Sequence, residues 1–119
     1  MDARRDATID ELLPLGELSL LMLLALRRGA SHGYAIGKEV EEHSDGRLKP
    51  TTGALYQALR RLQSNGLLAP ARRPDPSVDS RRKYFRLTRL GRQALDAETA
   101  RLERLVAVAR AGALAPIER

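Results

Sequence analysis

The sequence predicts a mainly α-helical fold with one small β-hairpin. Three observations predict it. Apolar residues recur at helical spacing in three successive segments, near residues 17–28, 32–44 and 51–64. The period then shortens to alternation in RRKYFRL at 81–87, which faces LLAPARR at 67–73 across the turn-rich PDPSVDS. Finally, Leu95, Leu102 and Ala109 stand seven residues apart in a long apolar stripe.

Residues 1–13 are mostly polar. Thr8 and Glu11 have capping-box spacing, so a short helix is expected in an N-terminal arm that Pro14 and Gly16 interrupt. LSLLMLLAL at 18–26 is apolar on all sides until Arg27, Arg28 and Gly29, so this first helix belongs in a core or an interface. Ser31 is the expected cap of a second helix that buries Ile36 and Val40. SDGRLKP is a loop, and Thr51 or Thr52 then caps a third helix that Asn65-Gly66 ends.

On the third helix, Leu55, Leu59 and Leu62 form a narrow core stripe. Gly53, Tyr56, Gln57, Arg60, Arg61 and Ser64 take the opposite arc. In the hairpin, Arg82, Tyr84 and Arg86 fall on one side, Lys83, Phe85 and Leu87 on the other. From Thr88 a last helix runs to about Ala111, with Leu105 and Val106 widening its stripe and Gly112 and Pro116 beyond. Three helices, a hairpin and a long helix are the chain order of a winged helix-turn-helix. The expected division is a winged-helix domain with its arm at 1–88 and a dimerisation helix with a tail at 89–119.

Composition narrows the function. The 119 residues suit one domain with an appendage, at 43% hydrophobic and 30% charged. The absence of cysteine excludes disulfides, thiolate metal sites and cysteine nucleophiles. There is no apolar run of about 18 residues to span a bilayer and no signal-peptide pattern, so a cytoplasmic protein without a membrane partner is expected. His32 and His43 are the only histidines, without a neighbouring triad or metal-ligand pattern. No glycine-rich phosphate loop occurs either. No catalytic residue, metal or cofactor is therefore expected, and the chain does not read as an enzyme.

The net charge is +6 and the pI about 10.5. Residues 72–92 alone hold eight basic residues against Asp75 and Asp79, so the whole excess is concentrated there. Such a segment points to a polyanion. The outer arc of the third helix offers donors, acceptors and positive charge, the side-chain types that read base edges and hold phosphates in a major groove. Double-stranded DNA is favoured over RNA, because stacking platforms need aromatics and the chain has 3%. The rival reading is a winged-helix protein–protein adaptor without specific DNA binding.

HGYAI at 32–36, TTGALYQALRRLQSNGLL at 51–68 and RRKYFRLTRLGRQAL at 81–95 together closely resemble the PadR-type transcriptional regulators, in their compact branch with a single C-terminal helix. The resemblance implies a dimeric repressor of its own or a neighbouring operon. It also allows a small-molecule or stress effector of unspecified identity. Carried over by position, Tyr34 lies near the phosphate backbone. Thr51, Thr52, Gly53 and Tyr56 match the recognition-helix motif, with Gln57 and Arg60 on the same face and Lys49 just before it. Arg81, Arg82 and Lys83 belong to the wing, and Thr88 and Gly91 match the junction to the last helix. Gln57 stands where many relatives carry proline, and the chain lacks the tryptophans that some compact relatives stack on ligands.

Dimerisation is also expected on physical grounds, since the last helix has little to bury in so small a domain. The expected interface combines Leu18, Leu21 and Met22 with Leu95, Leu102, Leu105, Val106 and Ala109. A two-fold axis there would set the recognition helices about 34–36 Å apart on a pseudo-palindromic operator.

Overall fold

The structure, a computed structural model, describes residues 9–75 and 81–114. Thr8, most of the hairpin turn and Pro116 lie outside the described residues; residues 9–12 form one helical turn. The elements that follow are α1 (Glu17–Ala25), β1 (Ser31–His32), α2 (Gly33–His43), α3 (Thr52–Ser64), β2 (Leu68–Ala71), β3 (Tyr84–Leu87) and α4 (Arg89–Leu114).

Helix α1 buries Leu21, Met22, Leu23 and Ala25. It ends one residue before its apolar run does, because i to i−3 hydrogen bonds from Leu26, Arg27 and Gly29 tighten the chain into turns. Helix α3 is capped by Thr51, whose Oγ1 accepts the Ala54 amide at 3.1 Å. It buries Leu55, Ala58, Leu59 and Leu62. Gly66, at φ 79°, closes it: its amide reaches the Gln63 carbonyl and the Leu67 amide reaches that of Leu62, each at 3.0 Å. This pairing requires a residue in the left-handed region.

The expected hairpin of β2 and β3 is present, and β1 adds a third strand in the order β1-β3-β2. Two side-chain expectations are corrected by that strand. Ser31 and His32 pair with Phe85 and Tyr84, so Ser31 does not cap α2. His32 caps it instead, with Nδ1 accepting the Ala35 amide. Tyr84, expected on the arginine face, is buried together with Phe85 and Leu87. The His32 ring meets its ring edge-on at 5.3 Å, so the added strand covers that part of the face, and within β3 Arg86 alone points out. Pro70 falls in β2, an edge strand that tolerates its missing N–H.

Helix α4 has 26 residues, about 39 Å at the helical rise of 1.5 Å per residue. Its first turns complete the core: Ala94 and Leu95 are fully buried with α1, α2 and α3. The core thus runs past residue 88, where the sequence placed a domain boundary. Residues 103–112 are exposed along the helix.

Candidate nucleic-acid interface

Helix α3 presents Thr52, Gly53, Gln57, Arg60, Arg61 and Ser64 to solvent, with Thr51 and Lys49 exposed just before them. The loop that leads from α2 to α3 is held by Ser44. Ser44, 4% exposed, donates to the Glu41 carbonyl and accepts the Leu48 amide at 3.0 Å. Lys49 stands 3.8 Å from Glu41 in an exposed pair, a contact that contributes little.

Gly53 is helical, yet a Cβ built on it would meet nothing within 4 Å. No contact within the described chain requires a glycine there. A glycine in a helix costs up to about 1 kcal/mol relative to alanine, a cost that no contact within the described chain offsets.

Tyr56 occupies a different place from its polar neighbours. It is half-buried and packs against the core. Its ring lies over Gly33 at the start of α2, where a Cβ would fall 2.6 Å from the hydroxyl. The ring separates two clefts. One, of about 380 Å³, runs between α3 and the wing and carries Arg60, Gln63, Arg82 and Lys83. The other, of about 410 Å³, runs between α2 and α3 and carries Tyr34, Lys38, Lys49 and Thr52. Cationic side chains therefore line both sides of α3.

The wing is tied to α2 by a residue that sequence reasoning passed over. His32 Nε2 lies 2.8 Å from Arg82 Nη1. The imidazole stacks on Tyr34 with centroids 6.4 Å apart. Arg82 and Lys38 approach the Tyr34 ring at 6.0 and 5.6 Å. Burial, and then the Arg82 charge, hold the His32 pKa below its ordinary value of 6.5. Arg81 and Lys83 are exposed beside Arg82, and Tyr34 is 65% exposed.

The junction beyond the wing fixes α3 against α4. Thr88 donates from Oγ1 to the Gly66 carbonyl and accepts the Gly91 amide at 3.0 Å. Its own amide reaches the Leu67 carbonyl at 3.2 Å. Gly91 packs so closely on that carbonyl that a Cβ would lie 1.9 Å from the oxygen.

The expected dimer residues divide into two groups. Leu21, Met22 and Leu95 lie in the chain's own core, at 8%, 0% and 0% exposed, so they have little or no area to give a partner. Leu105 and Val106 are about half exposed, Ala109 is exposed, and Leu18 and Leu102 are half-buried. Leu102 and Val106 line a groove of about 580 Å³ with Leu20 and Leu24 of α1, two positions that the sequence did not single out. Beyond Glu17 and Ser19, α1 carries no polar residue to mark its outer side.

Glu98 was also missed. It is 2% exposed, accepts the Leu15 amide at 2.7 Å and pairs with Arg101, so it pins the N-terminal segment to α4. No described helix is long and apolar enough to cross a membrane.

Comparison with known proteins agrees with this architecture. Residues 20–97 match the Transcriptional regulator PadR-like family. The transcriptional regulator YqjI of Escherichia coli is 32% identical over 88 residues, covering 74% of this chain and 40% of YqjI. A protein of transposon TN4556 in Streptomyces fradiae is 38% identical over 75% of this chain and 24% of that protein. The chain thus spans less than half the length of these curated relatives. A PadR-family regulator of Eggerthella lenta superposes with TM-score 0.61 at 28% identity, covering 96% of this chain and 98% of that one. Bacillus subtilis PadR, solved in complex with operator DNA, shares the fold with TM-score 0.54 at 23% identity over 66% of this chain and 44% of that one. The family is one of transcriptional regulators, not enzymes. By the match over 20–97, this chain is a member of the PadR-like family of transcriptional regulators.

Proposed function

We propose that the chain is a cytoplasmic, dimeric regulator that binds double-stranded DNA at a pseudo-palindromic operator and represses its own or a neighbouring operon, with release by a small-molecule or stress signal. The observation that carries the DNA reading is the pair of cationic clefts flanking an exposed, polar α3. That face has the chemistry of a major-groove reader. The operator complex of Bacillus subtilis PadR supports the same use of a shared fold.

In this reading Gln57 and Arg60 meet base edges, and Gly53 lets the backbone come close. Tyr56 seats the helix and offers its hydroxyl at the floor between the clefts. Lys49, Thr51 and Thr52 hold phosphates at the start of α3; Arg81, Arg82 and Lys83 hold them along the wing, and Tyr34 lies beside the backbone. Residues 1–88 supply the DNA-binding part. From residue 89, α4 supplies the dimer contact through Leu102, Leu105, Val106 and Ala109 against Leu18, Leu20 and Leu24 of the partner.

Selection of genomic fragments by the purified chain at fixed, near-physiological salt tests the reading. Enrichment of half-sites about one helical turn apart is the expected result. Binding only at low salt, without enrichment, would turn the assignment toward a protein–protein adaptor.

A further inference from the structure

We propose that His32 and Arg82 form a pair that holds one phosphodiester oxygen of the DNA backbone, with His32 donating from Nε2. The proposal rests on the DNA-binding reading above and adds a residue to it.

The geometry begins at the ring. His32 Nδ1 accepts the Ala35 amide at 3.2 Å, so a neutral imidazole carries its proton on Nε2. That nitrogen lies 2.8 Å from Arg82 Nη1. A guanidinium has donors only. Two donors therefore face each other. Moving the proton to Nδ1 gives Arg82 an acceptor but sets Nδ1–H against the Ala35 N–H. In either tautomer one donor is left over. A single anionic oxygen between the two side chains resolves this: it accepts from Nε2–H and from the guanidinium while Nδ1 keeps the helix amide.

The surroundings hold the ring in that attitude. Tyr34 stacks on it at 16° between planes, and Tyr84 meets it edge-on. The titratable and charged groups that face it are Arg82 and Tyr84 from the wing side and Tyr34 from its own helix, with Lys38 over the Tyr34 ring. These cations favour an anion at this spot. Arg82 is exposed and His32 half-buried, so the oxygen would arrive from solvent where the wing meets α2. The neighbouring clefts are lined by Arg60, Lys83, Lys38 and Lys49, which makes a nucleic-acid backbone the fitting source of that oxygen.

A proton follows the phosphate. In the free chain, burial and then Arg82 keep the imidazole below its ordinary pKa. An adjacent phosphate raises it relative to the free chain; the charged ring must release the Ala35 amide, but that cost is the same with and without DNA. Binding therefore takes up part of a proton, and affinity rises as pH falls through the bound ring's pKa toward that of the free ring.

The test uses the full chain and a labelled mixed-sequence duplex three helical turns long, read by fluorescence anisotropy. His32→Asn keeps an oxygen for the Ala35 amide but is too short to reach Arg82. His32→Asp also caps the helix and places a negative charge where the phosphate would lie. The Asn variant is expected to bind every duplex about ten-fold more weakly and to lose the pH dependence. The Asp variant loses more, and His43→Gln keeps both properties. Wild-type affinity and pH slope in both His32 variants would overturn the proposal alone, while a wild-type chain that binds no duplex would overturn it together with the DNA reading. A measurement without substitution is the His32 titration by NMR. Its pKa rises on adding duplex, and an unmoved value overturns the pairing.

Discussion

Replacing Gly33 with alanine puts a methyl group where the Tyr56 ring lies. The new Cβ would sit 2.6 Å from the Tyr56 hydroxyl oxygen, 2.8 Å from Cζ and 3.2 Å from Cε2, where ordinary contact begins at 3.4 Å. The ring must retreat by about 0.8 Å, and it is half-buried against the core, so overpacking of about 1–3 kcal/mol is expected. Alanine recovers up to about 1 kcal/mol through helix propensity, less in a first turn. The net loss is about 1–2 kcal/mol. In a Tyr56→Ala background the obstacle is gone and the propensity gain remains, so the same Gly33→Ala change stabilises by a few tenths to about 1 kcal/mol. The coupling between the two positions is then on the order of 2 kcal/mol, with a reversal of sign. Urea unfolding followed by circular dichroism, at one fixed protein concentration, measures all four variants. A Gly33→Ala effect of the same sign and size in both backgrounds would refute the wedge.

Gly53→Ala is expected to raise stability by about 0.5 kcal/mol, because the helix gains and nothing within 4 Å is struck, while weakening duplex binding. Unchanged binding would remove the reason for a bare backbone there. Gly91→Ala is expected to lose on the order of 3 kcal/mol or more, since its Cβ meets the backbone carbonyl of Leu67 at 1.9 Å and backbone has little room to give. A denaturation midpoint equal to the wild type's would contradict that. Glu98 has its pKa lowered, by the Arg101 hydrogen bond first and by the Leu15 amide against the opposing effect of burial. A lowered folded pKa means that its contribution to stability is present above about 4.5 and is lost as pH falls through the folded value. Glu98→Gln should therefore flatten the acid limb of the stability–pH curve, and parallel curves for the two proteins would argue against the buried carboxylate.

Long periodic segments were legible from sequence because their signal is repeated. Leu55, Leu59 and Leu62 mark one face of α3 three times over, and Thr51 and Gly66 punctuate its ends with side-chain and backbone chemistry that few other residues supply. Strand β1 was not legible. Two residues carry no period, and Ser31 is as good a cap on paper as His32 is in the fold. Tyr84 was placed wrongly for the same reason, since its cover comes from that unseen strand. On α1 the difficulty is the reverse: apart from Glu17 and Ser19 every position is apolar, so little told Leu20 and Leu24 in the groove from Leu21 and Met22 in the core. Glu98 pairs with a backbone amide 83 residues away, a contact that no local pattern encodes. The polar arc of α3 was readable as a set of residue types, but Tyr56 shows that angle alone does not assign a side chain. A large ring at the edge of the arc bends to the nearest gap, and Gly33 makes one.

These particular contacts explain how a small domain holds the exposed polar face of α3 still. The polar face of α3 is only as well aimed as the elements that abut it, and each abutment uses a residue that cannot be enlarged or exchanged cheaply. Tyr56 rests on Gly33, which ties α3 to the start of α2. His32, one residue earlier, both caps α2 and meets Arg82 at the base of the wing. Thr88 joins the wing's last strand to Gly66 at the end of α3, and Gly91 brings α4 down onto Leu67. Helix α3 and the wing are thus registered to one another through α2 at one end and through α4 at the other. A dimer contact carried by the far half of α4 would act on the same α4 that is fixed to the end of α3, so a ligand or strain that tilts α4 would be felt at the spacing of the two recognition helices.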